Sequence, residues 1–425
     1  MTASATHTEL EPHLHTLPNG LTVAMEQLPY LHSATISIWI RTGSANESKE
    51  HAGVSHFLEH LFFKGTESRS ARELMEAIES RGGHMNAFTS REYTCLYVKC
   101  LKAHVTTAIE VLGDIVKRST FTDMDKERHV ILEEIASAID VPEDYAHDLL
   151  AERVWPGHAL GRPIAGYHES VSAISLEDVR AYMDAQYRPR NVVIAVAGNF
   201  DEAAVLKQLE DEFGPLAAGA PDNVMESAEF SPGADWVDRP IAQNHLTFAF
   251  PALSIVDERR YVYDLLSNIL GGGSTSRLFE RIREDEGLAY SIYSFHQGYL
   301  KNGMLGVYAA IAPENFQKTV TLCSEELRKL RDGPVPSDEL AGNKEQLKGG
   351  LLLALESTFN RVGRMARSLM YFGRVLTVEE ILESVDAVSV AQVQSLAQTL
   401  FTPDGYAMAV LGPRNESVPA LFLAE

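Results

Sequence analysis

Apolar residues recur at the helical period most clearly between Gly53 and Phe63. There Leu58, Leu61 and Phe62 fall at i, i+3 and i+4 with no proline between them. The same period predicts a helix from Ser70, with Glu73 at the capping-box position, to about Arg81, where Gly82-Gly83 ends it. Further helices are predicted at Ala103–Ser119, Asp123 to about Ala138, Leu149–Trp155, Leu176–Tyr187 and Glu202–Phe213. Strands show the shorter period. Asn19-Gly20 between short apolar runs predicts a hairpin over His13–Glu26, and Ala34–Arg41 alternates with Ile36, Ile38 and Ile40 on one side. Asn86–Cys100 reads as a strand pair, with Tyr93, Cys95 and Tyr97 sharing a face, and Val192–Ala197 as a buried strand.

Gly214–Asp235 keeps neither period. Rich in Gly, Pro, Ala and Asp, it reads as a linker. After it the order of elements recurs: strand His245–Phe250, helices Glu258–Leu270 and Ser276–Asp285, strands Ala289–Tyr299 and Met304–Ile311, helix Phe316–Arg331. Leu74–Val98 and Leu278–Val307 each run helix, glycine break, two strands, which predicts an internal duplication with copies of about 200 residues. Ser337–Leu369 is a long helical region expected to break near Gly349-Gly350. Val378–Leu400 holds two shorter helices, and Tyr406–Leu411 is a last strand. Strands clustered before helices predict an α+β fold of two homologous domains, residues 1–217 and 218–425, each a mixed sheet with helices packed on it.

Composition narrows the function. The 425 residues carry 37 basic and 59 acidic side chains, a net charge of −22, which argues against nucleic-acid binding and against anionic membrane surfaces. Cys95, Cys100 and Cys323 are odd in number and form no C-x-x-C, so a reducing compartment is expected rather than a disulfide scaffold. Met1–Pro12 is polar without Arg or Lys, and no apolar run reaches the ~18 residues of a membrane span, so a soluble, cytoplasmic protein is expected.

The candidate chemistry lies in the first helix described above, as His56-Phe57-Leu58-Glu59-His60. His56 and His60 project from one face, one turn apart, and Glu59 lies near that face, placed to hold an attacking water. H-x-x-E-H is the inverzincin pattern. A wet helix face carries such residues without function too, so a third ligand decides the matter. The helix from Asp123 offers Glu127, Glu133 and Glu134. Glu127 and Glu134 are two turns apart and share a side, whereas Glu133 points about 100° from Glu134. A glutamate-rich helix is usually a solvated face, but Val130-Ile131-Leu132 argues that this one is partly buried. Gly271-Gly272-Gly273 matches no phosphate-binding pattern and fits a flexible turn beside a cleft. His84, His129, His147 and His168 lack paired spacing and read as surface or satisfied core histidines.

With H-x-x-E-H followed 74 residues after His60 by the second glutamate of E-x6-E, the chain resembles the pitrilysin/insulinase family of zinc peptidases. It is most similar to the half-length members, the bacterial processing-protease-like proteins and the mitochondrial processing peptidase beta subunit. The resemblance implies one Zn2+ per chain on His56, His60 and Glu134, with Glu133 the nearest competitor for the third place. It implies Glu59 as general base and Glu127 as the carboxylate that orients the site. Asn86, Ala87, Phe88 and Thr89 would form an edge strand on which substrate backbone adds. Arg283 and Tyr290 correspond to the family's Arg/Tyr pair, which holds substrate or its oxyanion and in half-length members comes from the partner chain. The implied protein is a zinc endopeptidase acting on peptides or unfolded segments inside a chamber. Each chain would supply one half of a clamshell, in a homodimer or a heterodimer with a paralogue. The rival is a non-catalytic structural or peptide-binding subunit, against which the intact motif argues.

Overall fold

Strand β3 (Ser33–Ile40) explains the first sheet. Its alternation predicts one wet face, yet Ala34 through Ile40 are all buried. Ile36, Ile38 and Ile40 line one face and Trp39 the other. The polar residues between them are satisfied locally. Thr35 Oγ1 and Thr358 Oγ1 share a hydrogen bond of 2.8 Å, Ser37 Oγ donates to Ala195 O at 3.0 Å, and Trp39 Nε1 donates to Ser37 Oγ at 2.9 Å. A strand covered on both faces tolerates hydroxyls only where such partners exist.

The computed structural model describes residues 11–221, 225–414 and 421. Residues 222–224 of the predicted linker, and residues 1–10 of the polar amino-terminal stretch, lie outside them. Two compact units form. Unit 1 takes the described residues within Met1–Ile131, Tyr167–Asn223 and Leu353–Thr377. Unit 2 takes those within Leu132–Gly166, Val224–Leu352 and Val378–Glu425.

In unit 1, β1 (His13–Thr16), β2 (Thr22–Gln27), β3, β4 (His84–Thr89), β5 (Thr94–Leu101) and β6 (Val192–Gly198) form one sheet in the order β1-β2-β6-β3-β5-β4. β2 and β6 run parallel and the other pairs antiparallel. The helices of the first half are α1 (Val54–Phe62), α2 (Ala71–Glu79), α3 (Val105–Arg118), α4 (Met124–Asp140), α5 (Pro142–Val154), α6 (His168–Ala173), α7 (Leu176–Gln186) and α8 (Glu202–Phe213). Ser70 caps α2 through the predicted capping box with Glu73. α5 is longer than predicted because Pro142, which ends the preceding helix, also starts the next one at its first position.

In unit 2, β7 (Gly233–Asp238), β8 (Asn244–Ala252), β9 (Ala289–Gly298), β10 (Gly303–Ile311) and β11 (Ala407–Gly412) follow the order β7-β11-β8-β10-β9. β7 and β11 are parallel and the rest antiparallel. Setting β1 aside, the two sheets share strand order and direction, as an internal duplication requires. Strand β7 begins inside the predicted linker, held there by Trp236, whose Nε1 donates to Gly412 O at 2.9 Å. α9 (Arg260–Gly271), α10 (Phe316–Asp332), α11 (Ser337–Ala354), α12 (Thr358–Phe372), α13 (Val378–Asp386) and α14 (Val390–Leu400) complete the α-helices among the described residues, with a π-helical segment at Phe279–Asp285. α12 packs on β2, β3 and β6, and α5 on the equivalent β7, β8 and β11. Each sheet thus receives one helix from the opposite half of the sequence.

The long carboxy-terminal helical region does not break at Gly349-Gly350. α11 passes through both glycines, which weaken a helix without ending it. The break comes at Leu355–Ser357, where Asn360 Nδ2 donates to Ala354 O at 2.8 Å and Arg361 Nε to Leu355 O at 2.5 Å. Those side chains of α12 occupy the carbonyls that a continuing helix would use.

No described helix is long and apolar enough to cross a membrane. Gly198 closes β6 at φ +129°, and a Cβ there would lie 2.3 Å from Ser33 O. Gly198→Ala is therefore expected to cost about 2 kcal/mol or more, read as a lower urea midpoint at unchanged slope.

Candidate metal centre

α1 begins at Gly53, whose φ of 96° is open to glycine and whose lack of a side chain leaves the helix uncapped from within. Glu47 supplies the cap from the loop before it. Its carboxylate accepts from Gly53 N at 2.7 Å and Ser55 N at 2.8 Å, and the residue is 6% exposed. An anion on the first backbone amides satisfies donors and opposes the helix dipole. Ser55 Oγ also bonds Tyr182 OH at 2.7 Å, which bonds Thr42 Oγ1 at 2.7 Å. Phe57, Leu58, Leu61 and Phe62 are buried on the inner face, so His56, Glu59 and His60 are turned to the half-buried outer one.

α4 is brought to α1 by the chain that precedes it. Thr120 N donates to Gly65 O at 3.2 Å and Thr122 Oγ1 to Lys64 O at 2.9 Å. Phe121 and Asp123 take positive φ of 55° and 60°, and buried Phe121 packs on Phe62 with ring centroids 6.3 Å apart. Within α4, the Arg128 guanidinium lies 5.3 Å from the Phe57 ring centre and donates to Ile174 O at 2.8 Å. Glu127, 2% exposed, meets Lys64 Nζ at 2.8 Å and His60 Nδ1 at 3.4 Å.

Two turns beyond Glu127, the same continuous helix carries Glu134. One ligand atom each from His56, His60 and Glu134 lies within 4.8 Å of the others. The two imidazole rings stand edge to face, centroids 4.7 Å apart. Burial, and then the neighbouring His60, pushes the His56 imidazole down to about 4, so it stays neutral with a lone pair to give. A proton on His60 Nδ1 shared with Glu127 directs its other nitrogen to a cation. Two imidazoles and a carboxylate with a position to spare match the donor set of catalytic zinc. Glu133 is exposed and not part of the group.

The other sequence-predicted residues fall in two places. Glu59 joins α1 to the sheet edge, because Thr89 Oγ1 donates to its Oε2 at 2.5 Å. Asn86, Ala87, Phe88 and Thr89 lie in β4, the last strand of its sheet, which pairs with β5 on one side. Arg283 and Tyr290 belong to unit 2 and meet each other. Arg283 Nη1 donates to Tyr290 O at 2.8 Å, its guanidinium stacks 4.5 Å from the Tyr290 ring, and that ring is 79% exposed. Arg283 sits in the π-helical segment, a geometry frequent at functional sites. Sequence reasoning missed Glu47, Lys64 and Arg128. Lys64 stands four residues after His60, a spacing that could have flagged it, whereas nothing in the loop singles out Glu47.

Two family models match the chain: "Insulinase (Peptidase family M16)" over residues 22–167 and "Peptidase M16 inactive domain" over residues 173–347. A Bacillus subtilis protein named an uncharacterized zinc protease is 40% identical over 94% of this chain and 98% of its own. A Streptomyces coelicolor protein of similar name is 36% identical over 94% of this chain and 89% of its own. The crystal structure of a protease from Helicobacter pylori superposes with a TM-score of 0.87 at 21% identity, over 95% of this chain and 99% of that one.

Burial, with His60 beside it, holds the folded His56 imidazole at about 4, below its ordinary 6.5, so the unfolded chain binds more protons between these values and stability rises with pH across that window. Chelator-treated protein should lose on the order of 3 kcal/mol as pH falls from about 6.5 to about 4, beyond the general acid effect, when its urea midpoint is compared with that of His56→Ala.

Proposed function

Since this chain belongs to the insulinase family of peptidases, family M16, we propose that it is a zinc-dependent endopeptidase acting on peptides or unfolded polypeptide segments. The observation that carries this reading is the meeting of His56, His60 and Glu134 within 4.8 Å, with Glu59 on the same helix as the two histidines. Zinc, when bound, would polarise the scissile carbonyl and acidify water enough for attack near neutral pH.

The chain's own groups do the rest. Glu59 accepts the proton of the attacking water and passes it to the leaving amine. The Thr89 hydroxyl fixes one oxygen of that carboxylate, which keeps the base at the sheet edge. Glu127 holds the His60 ring, and Lys64 balances the Glu127 charge. Substrate backbone adds to the open side of β4 along Asn86, Ala87, Phe88 and Thr89, which sets the scissile bond beside Glu59. Arg283 and Tyr290, supplied by a second copy of this chain or by a paralogue, hold the substrate or its oxyanion. A homodimer of this kind carries two sites, one zinc per chain, and encloses them in a chamber that admits only extended polypeptide; its place is the cytoplasm.

A non-catalytic subunit is the second reading, favoured by the match of residues 173–347 to an inactive-domain model. The metal group lies outside that range, in the part that matches the insulinase model. Two variants separate the readings. Glu59→Gln should keep zinc and peptide binding and lose cleavage by about 10²–10⁴-fold, because only the proton acceptor is removed. His60→Ala should lose bound zinc, read by atomic absorption. A zinc-loaded wild-type protein that cuts nothing in a diverse peptide library would overturn the peptidase reading.

A further inference from the structure

The duplication places a second helix where α1 stands. α9 follows β8 as α1 follows β3, and it packs on β9 as α1 packs on β4. Asp264, Ser267 and Asn268 of α9 repeat the i, i+3, i+4 spacing of His56, Glu59 and His60. Helix and edge strand are tied in the same way. Ser294 Oγ of β9 meets Ser267 Oγ at 3.1 Å, the counterpart of Thr89 on Glu59, and His296 Nδ1 of β9 bonds Asp264 Oδ1, at the His56 position, at 2.8 Å. No three-ligand metal group forms here among the described residues.

A cavity of about 350 Å3 opens at this place, within unit 2. One wall is polar, made by Asp264, Ser267, Asn268, Ser294 and His296. The other is apolar, made by Leu347 and Leu351 of α11 and Ile381, Leu382 and Val385 of α13. The His296 side chain is 10% exposed, and its Nε2 is buried with no hydrogen-bond partner among the described residues. A buried polar atom of this kind costs stability until a ligand meets it. Because Nδ1 donates to the Asp264 carboxylate, Nε2 of the neutral ring is an acceptor. The Asp264 carboxylate adds a further acceptor and a negative charge. Lys348, also on the lining, is already paired with Glu345 at 2.6 Å and Asp386 at 2.8 Å.

We infer that this cavity is a second binding site, for an alkylammonium group carried on an aliphatic chain. The ammonium donates to Asp264 and His296, and the hydrocarbon lies against the leucines of α11 and α13. Such a group comes either from a lysine side chain of a polypeptide or from a small free amine. The inference goes beyond the peptidase reading and does not rest on it.

The test titrates the full-length chain with n-pentylammonium at neutral pH in the presence of a chelator, with pentan-1-ol and pentanoate as controls of equal length. Pentylammonium should bind saturably and the controls should not. Asp264→Asn should weaken binding by about tenfold or more, since a charge-assisted pair is lost. Leu382→Trp, on the apolar wall, should abolish binding by filling the cavity, and it decides the question if Asp264→Asn proves unfolded. Displacement of pentylammonium by Nα-acetyl-lysinamide identifies the lysine side chain as the source; failure to displace it identifies a small amine. Equal binding of pentan-1-ol, or unchanged binding by both variants, overturns the site. Zinc is absent throughout, so failure of the peptidase reading leaves the outcome unaffected.

Discussion

The contact on which the site depends is the buried carboxylate of Glu127, set between His60 and Lys64. It is the point where α4 touches the end of α1, and Glu134 stands two turns along the same rigid rod. A carboxylate that is 2% exposed must be partnered, since an unpaired buried charge costs several kcal/mol. The register of α4 against α1 is therefore held by a penalty, because sliding either helix would strand Glu127. The segments around Gly65 and Thr120 set the approach, and Arg128 against Phe57 sets the rotation. Glu47 does the same at the other end of α1, pinning the backbone one residue before His56.

That division explains what could be read from the sequence. The pairing of His56 with His60 is a matter of helical period, and so is the set Glu127, Glu133, Glu134. Choosing among those glutamates is a tertiary question, because the period alone leaves Glu133 and Glu134 about 100° apart without saying which faces α1. The choice came from family resemblance. Glu47 was illegible for a stronger reason, since a loop carboxylate becomes a helix cap only through the path of the loop. Strand β7 was hidden by composition. Gly233 and Asp235 are poor strand formers, and their pairing with β11 is decided by a neighbour far along the chain. The break after α11 was misplaced for a similar reason, because the glycines are a local signal and the side chains of Asn360 and Arg361 acting on the helix end are not.

The two units put one scaffold to unlike uses. Strand order and direction agree from β2 and β7 onward, and each sheet is covered by a helix from the opposite half of the sequence, α12 on one and α5 on the other. The faces under those helices differ. α12 lies on Trp39, Val193 and Ala195, an apolar surface. α5 lies on an aromatic surface with polar tips, where His147 Nε2 bonds Tyr293 OH at 2.8 Å and Tyr293 OH donates to Glu143 Oε1 at 2.8 Å. Burial, with Glu143 beside it, pushes the Tyr293 hydroxyl upward. The backbone arrangement is thus common to both units, while the chemistry of each face follows from its own side chains.

The ligand group also bears on whether this protein is a scaffold. Burying His56, with His60 beside it, suppresses its protonation, and keeping Glu127 buried between the His60 ring and the Lys64 ammonium adds desolvation. Each arrangement costs folding energy that an apolar residue of similar size would not. A subunit that only holds its neighbours gains nothing from that cost, and large apolar side chains at the same positions would pack α1 against α4 more cheaply. An ion that bound the folded chain and not the unfolded one would offset that cost, since such binding stabilises the native state in proportion to its tightness. The stability given up in arranging these side chains and the affinity with which such a group would hold an ion are two sides of a single balance.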